Sequence, residues 1–113
     1  AASKPPACIV VAPESGPQGV TFTVTSGTIE RVDIRPPATI GTRSGIRIGS
    51  NVAELQRVYG DRVGPSPAEP GAFVFTPRDE ADAAFRLVFA TDGNAITAYR
   101  SGRVPQVESV NPC

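Results

Sequence analysis

Four arginines around a predicted helix are the residues of this chain best suited to bind a charged partner. They are Arg43, Arg47, Arg57 and Arg62. A guanidinium forms paired hydrogen bonds with carboxylate and phosphate groups, so this set could recognise either group on a partner. The same four side chains could instead form a solvated surface that is balanced by neighbouring acids. The sequence leaves both interpretations open.

Catalytic chemistry is restricted by the absence of histidine from the 113 residues. Without an imidazole there is no Ser-His-Asp or Cys-His pair, no histidine metal ligand and no ready general base near neutral pH. The sequence also has no nucleophile-elbow or phosphate-loop motif. We therefore predict a protein that is not an enzyme and has no catalytic residues, metal or cofactor.

Acidic residues offer the main alternative to a binding role. A small hydrolase of cell-wall glycan would need two carboxyl groups about 5–9 Å apart in a cleft, one of them with a raised pKa. The run Asp79-Glu80-Ala81-Asp82 could also suggest a calcium loop with Asp92 and Asn94. Its spacing does not match the ligand positions of an EF-hand, so a solvated acidic loop is the favoured interpretation.

The segment Gly41-Thr42-Arg43-Ser44-Gly45 has the small residues of an anion-binding loop, but it lacks lysine. A turn that needs glycine at positive φ is the favoured interpretation. A third possible function, the carriage of a small apolar ligand, would need an enclosed pocket of roughly 300 Å³ or more. Seven aromatic residues and no Trp or Met argue against so large a cavity in so small a core.

The two cysteines, Cys8 and Cys113, indicate the compartment. They are too few for a zinc site and lack the spacing of a redox motif. We predict a disulfide between them, with two unrelated free thiols as the alternative. Because disulfides persist in oxidising compartments, we expect a secreted or cell-envelope protein. The segment Ala1–Pro6 resembles a mature N-terminus left after signal removal.

The charge balance narrows the class of partner. Eleven basic and eleven acidic residues give a formal net charge of zero, which argues against nucleic acid or an anionic membrane surface. No apolar run approaches the roughly 20 residues of a transmembrane segment. We expect a protein partner in the envelope, bound by a single domain at 8–113 that follows a tail or linker at 1–7.

Alternating apolar residues and turn signals predict an α+β fold: an antiparallel sheet of six or seven strands with one short helix packed on it. Phe85, Leu87 and Phe89 are expected to face inward, and Ile9-Val10-Val11 to be buried within the sheet. The segment Val63–Gly71, with three prolines, is expected to be an extended loop. The clearest hairpin signals are Ser26-Gly27 and Thr91-Asp92-Gly93-Asn94.

The predicted helix follows Ile46 and Ile48, which alternate with Arg47. Either Ser50 or Asn51 can be its N-cap, and Asn51 with Glu54 has capping-box spacing. Gly60 occupies the position where helices often end in a left-handed residue. At eight or nine residues the helix is too short to be stable alone, so it must pack on the sheet.

Two resemblances rest on these segments. Gly49–Gly60, a glycine and a small hydroxyl residue before a short helix that ends at glycine, resembles the repeat of the SmpA/OmlA outer-membrane lipoproteins and of the β-lactamase inhibitor protein. Nearly the whole chain resembles bacterial secreted and lipoprotein domains, through Cys8, a final Cys113 and four segments between them. Those segments are Gly27–Ile34, Thr42–Ser50, Tyr59-Gly60 and Leu87–Gly102. The first resemblance implies binding to other proteins, and the second implies that both cysteines belong to the domain.

Overall fold

The computed structural model describes residues 8–16, 18–104 and 106–108, which form one antiparallel sheet of seven strands and one short α-helix. The sheet order is β1-β2-β3-β7-β6-β5-β4, and the helix lies between β3 and β4 in the sequence. This mostly-sheet architecture is consistent with the predicted α+β class. The elements are β1 (Cys8–Val11), β2 (Val20–Thr25), β3 (Thr28–Ile34), α1 (Val52–Tyr59), β4 (Val63–Pro65), β5 (Ala72–Phe75), β6 (Phe85–Thr91) and β7 (Ile96–Arg103), with 3₁₀ turns at Gly60–Arg62, Glu80–Asp82 and Gln106–Glu108.

Both predicted hairpin turns are present. Ser26 and Gly27 join β2 to β3 with positive φ angles of 50° and 83°, as a tight turn that matches the strand twist requires. In the turn between β6 and β7, Asp92 accepts hydrogen bonds from the backbone N–H groups of Asn94 and Ala95, each at 2.9 Å. The Ala95 and Asn94 amides hold the pKa of the Asp92 carboxyl below its usual value.

Helix α1 begins and ends at residues that the sequence identified. The N-cap is Asn51, whose side chain accepts a 2.7 Å hydrogen bond from the backbone N–H of Glu54. Gly60 ends the helix with a φ of 58°, but its ψ of −133° lies outside the left-handed helical region. A 3₁₀ turn at Gly60–Arg62 follows. The segment before the helix is joined to the start of β7, because Gly49 donates to Ile96 and Ile96 donates back to Ser50.

One side of the sheet, which we call the helix face, holds the main apolar core under α1. Paired residues of neighbouring strands share a face, so the strand register defines rows of side chains across the sheet. Ile46 and Leu55 are fully buried against the row nearest the helix. That row consists of Val20, Ile34, Tyr99, Phe89 and Phe73.

The other side of the sheet, which we call the charged face, contains two buried arginines. Arg31 donates to both carboxylate oxygens of Asp33, at 2.8 and 2.9 Å. Arg100 donates to Glu69 at 2.7 Å and to the carbonyl oxygen of Val107 at 2.6 Å. Arg100 therefore fastens two segments outside the strands onto the sheet.

Several expectations about individual segments are wrong. The segment predicted as a proline-rich loop contains the edge strand β4. Ile9, Val10 and Val11 are 40–49% exposed because β1 is the other edge of the sheet. Phe85 is 41% exposed because its end of β6 extends beyond the part of the sheet that α1 covers.

None of the helices formed by the described residues is long and apolar enough to cross a membrane.

Replacement of Arg100 by Met should lower the free energy of unfolding by about 3 kcal/mol, because it leaves a largely buried Glu69 carboxylate and the Val107 carbonyl without their donor. The matched control is Arg103→Met. Arg103 is 51% exposed and 3.7 Å from Glu30, so its loss should change stability by less than about 1 kcal/mol. Urea unfolding measures both values, and equal losses would contradict this assignment.

Candidate functional site

An open groove of about 530 Å³ lies on the helix face, beside the buried core. Its floor is a single row of side chains contributed by four neighbouring strands, in the order β3, β7, β6 and β5. The register pairs Val32 with Ser101, Ser101 with Leu87, and Leu87 with Phe75. This row lies two residues along the strands from the row nearest the helix, and its side chains are therefore only partly covered.

Aromatic rings form the inner wall of the groove. Tyr59, the last residue of α1, lies 4.7 Å from Phe75 and 5.9 Å from Phe89, measured between ring centroids. Phe89 lies 5.7 Å from Tyr99. Tyr59, Phe75 and Tyr99 line the groove, and Phe89 supports them from the core. Rings packed in this way present a fixed apolar surface.

The tyrosine hydroxyls hold the opposite wall in place. Tyr59 donates to the hydroxyl of Thr42 at 2.8 Å, and Tyr99 donates to the carbonyl oxygen of Ile40 at 2.5 Å. Thr42 also accepts a hydrogen bond from the backbone N–H of Ile46 through the same oxygen. The segment from Ile40 to Ile46 is thus attached to the aromatic inner wall at two points.

The tip of this wall is a turn with Arg43 and Ser44 at its centre. Gly45 donates to the carbonyl of Thr42 and has a φ of 90°, so the prediction of a turn that requires glycine at positive φ is confirmed. Arg43 is exposed, and the ion pairs recorded among the described residues do not include it. It is the one charged side chain among the described residues that line the groove.

Beyond the groove, the helix face continues into exposed apolar surface. Val11 pairs with Phe22 and Phe22 with Val32, so the floor row extends to the edge strand β1. Ile29, at the start of β3, is 57% exposed. At the open end of β6, the guanidinium of Arg103 lies 5.5 Å from the ring centroid of Phe85, within the range of a cation–π contact.

The four arginines selected from the sequence do not lie together. Arg43 lines the groove, Arg47 and Arg62 each line a different depression, and Arg57 is exposed in the last turn of α1.

The acidic residues are arranged in two ways. Residues 79–82 are exposed and form a 3₁₀ turn, which Asp79 caps by accepting from the backbone N–H of Ala81. Asp61 and Glu108 line a polar depression of about 450 Å³ together with Arg62 and Arg86. Among the described residues, no group of three or more His, Cys, Asp or Glu side chains is placed to hold a metal ion.

The predicted disulfide includes Cys113, which lies outside the described residues, as does the predicted tail at 1–7. The Cys8–Cys113 bridge therefore stays a prediction. Cys8 itself begins β1, at the edge of the sheet.

Sequence reasoning missed most of the groove. It selected Arg43 and predicted that Leu87 faces inward, but it gave no binding role to Tyr59, Phe75, Leu87 or Tyr99. The two tyrosines offered one signal, because a partly buried tyrosine needs a hydrogen-bond partner and often occurs where apolar and polar surfaces meet. The few aromatic residues and the absence of Trp and Met disfavour an enclosed pocket, whereas this groove is open.

Comparison with models of protein families, with curated proteins and with solved structures finds no match to this chain.

The Tyr99 hydroxyl should respond to alkaline pH. Burial, and to a smaller extent the neighbouring Tyr59, raises the pKa of Tyr99 above its ordinary value of 10. The unfolded chain releases this proton at lower pH than the folded chain, so the stabilising contribution is complete below pH 10 and is lost as the pH rises through the raised pKa. Absorbance at 295 nm and thermal unfolding across this range should show the change in the wild type.

Tyr99→Phe should remove the late-titrating tyrosine and the associated alkaline loss of stability. Tyr59→Phe is the matched control, and it should leave Tyr99 titrating above its ordinary pKa because burial is the larger cause. If Tyr99 titrates like an exposed tyrosine in the wild type, the described burial of its side chain is wrong.

Proposed function

We propose that this chain is a non-enzymatic binding domain of the cell envelope that recognises a protein partner through its helix face. The observation that carries the proposal is the groove, which continues without a break into exposed apolar side chains. Contiguous exposed apolar surface next to a preformed groove is typical of surfaces that bind other molecules. Isolated exposed apolar residues would carry no such meaning.

The shape of the surface favours a protein over a small molecule as the partner. The floor row extends from Phe75 through Val32 to Val11, across six of the seven strands. A small ligand is usually enclosed on most of its surface, whereas this groove is open and continues into a broad sheet face. Large partly exposed sheet surfaces suit a macromolecule that covers many side chains at once.

The composition of the groove favours binding over catalysis. Its described lining contains one charged residue, Arg43, and no carboxylate, thiol or amine that could act as a base. For the alternative of a glycan hydrolase, the depression that contains both Asp61 and Glu108 offers a pair of carboxylates. Because Arg62 and Arg86 lie in that depression too, it has the mixed charge of an ordinary solvated surface.

The proposed location outside the cytoplasm rests on the predicted Cys8–Cys113 bridge, since disulfides persist in oxidising compartments. Closing a loop of this length should stabilise the chain by about 2–4 kcal/mol.

Thiol titration tests the bridge. Protein purified without reductant and unfolded in denaturant should show no free thiol, and reduction should release two. Cys8→Ala should lower the melting temperature by several degrees and leave Cys113 reactive to thiol reagents. Two free thiols in the unreduced protein would remove the support for export.

Site-directed photo-crosslinking tests the binding surface in envelopes of the source cells. The photoreactive residue p-benzoyl-phenylalanine is placed at Ser101 in the groove or at Ile29 on the exposed helix face. The controls are Val10 on the charged face and Ala53 on the outer side of α1, which are also exposed. We expect one product of defined mass from the first two positions and little or none from the controls.

A competition experiment shows whether the crosslinked product reflects specific binding. Excess wild-type protein should suppress the crosslinked product, and Ile29→Asp, which places a charge on the apolar surface, should suppress it less well. Equal products from all four positions, or no product from Ser101 and Ile29, would contradict the proposed surface. A product with exactly twice the mass of the chain would identify a second copy and not a different protein.

A further inference from the structure

The groove combines two kinds of surface that indicate the chemistry of its ligand. Its floor and inner wall are mostly apolar and aromatic, formed by Val32, Leu87, Phe75 and the two tyrosine rings, with the Ser101 hydroxyl as the polar group of the floor row. Its mouth is polar and is formed by the turn at Arg43 and Ser44. A group that fills this groove must be apolar at its inner end and polar where it leaves.

The mouth is suited to a negative charge. Arg43 has no ion-pair partner among the described residues, and the described lining contains no acid that could balance it. The nearby helix-face cation Arg103 is half exposed and is only 3.7 Å from Glu30, so the charge there is already balanced. The uncompensated charge at the groove is therefore positive and belongs to Arg43.

The polar groups deeper in the wall are already satisfied. The Tyr59 and Tyr99 hydroxyls and the Thr42 hydroxyl form hydrogen bonds with each other or with the backbone. They are therefore poorly placed to select a polar ligand, because a new hydrogen bond would replace an existing one. The exposed polar side chains that remain are Ser101 in the floor row, Arg43 and Ser44, and of these only Arg43 carries a charge.

We infer that the groove binds a segment of the protein partner in which a bulky apolar or aromatic side chain lies next to a carboxylate. The apolar side chain occupies the space between the Leu87 row and the tyrosine rings, and the carboxylate pairs with the Arg43 guanidinium. An arginine holds a carboxylate through two parallel hydrogen bonds, which fixes orientation as well as charge. This inference rests on the proposed function, because it assigns the partner's chemistry at the same surface.

The test uses small compounds that carry this chemistry alone. The acid 4-phenylbutyrate has a ring and a carboxylate, and 4-phenylbutyramide has the same shape without the charge. Titration of ¹⁵N-labelled protein should shift the amide signals of residues 42–44, 87 and 101 in a saturable way. The acid should bind about three to five times more tightly than the amide, the size expected of an exposed ion pair.

Substitutions at exposed arginines identify the group responsible. Arg43→Gln should make the acid and the amide bind equally, and Arg43→Lys should restore part of the preference as a point charge. Arg57→Gln is the matched control, because it removes an exposed arginine of α1 that does not line the groove. Equal binding of acid and amide to the wild type, or an equal effect of Arg57→Gln, would overturn the inference.

Two further outcomes distinguish a peptide segment from a free amphiphilic acid as the ligand of the groove. If sodium decanoate binds more than a hundredfold more tightly than 4-phenylbutyrate, the groove belongs to a free amphiphilic acid and the peptide assignment is wrong. If neither compound shifts the groove signals, the ligand chemistry is wrong even when Ser101 crosslinks to a partner. Arg43-dependent binding of the acid without any crosslinked partner would instead contradict the proposed function and leave the ligand chemistry in place.

Discussion

The buried guanidinium groups on the charged face determine how the central strands can pair. Arg31 holds Asp33 two residues along the same strand, and Arg100 lies opposite Asp33 on β7 while it binds Glu69. A shift of one residue in any strand would move its side chains to the other face of the sheet. Such a shift of β3 or β7 would turn a buried arginine toward the apolar core, and for Arg100 it would also break the ion pair with Glu69, which is strongly unfavourable. The same register brings Val32, Ser101 and Leu87 into one row on the helix face, so the groove depends on ion pairs located behind it.

Much of the fold could be predicted because its signals are local. The Ser26-Gly27 turn, the Asp92 turn and the Asn51 cap each act within four residues, and the structure uses all three. Strand alternation was equally informative where a strand lies under the helix. Local patterns failed at β1 and at the open end of β6, since exposure there depends on the strand order of the sheet. Nothing within Ile9-Val10-Val11 itself indicates that this strand lies at an edge.

One physical reason explains why neither the groove nor the buried arginines could be predicted from the sequence. The groove floor uses residues 32, 75, 87 and 101, which meet only because β7 lies between β3 and β6. In β3, Arg31 and Asp33 alternate with Val32 and Ile34, and charged residues in such a pattern would ordinarily be assigned to solvent. Arg31 is buried in part because Gly102 lies opposite it, where an added Cβ would be only 2.8 Å from the Arg31 Cα. The missing side chain of Gly102 makes the room for Arg31, and a single-strand pattern does not contain that information.

The double attachment of the 40–46 segment has a consequence for how the groove meets its ligand. This segment is joined to the aromatic inner wall through two tyrosine hydroxyls that belong to different elements, α1 and β7. Displacement of the segment would require both hydrogen bonds to break, so the shape of the groove is set before any partner arrives. A preorganised site loses little conformational entropy on binding, and this reduces the free-energy cost of association. The conformational entropy lost on binding is then mainly that of the incoming segment. Of two segments that make the same contacts, the stiffer one should therefore bind more tightly.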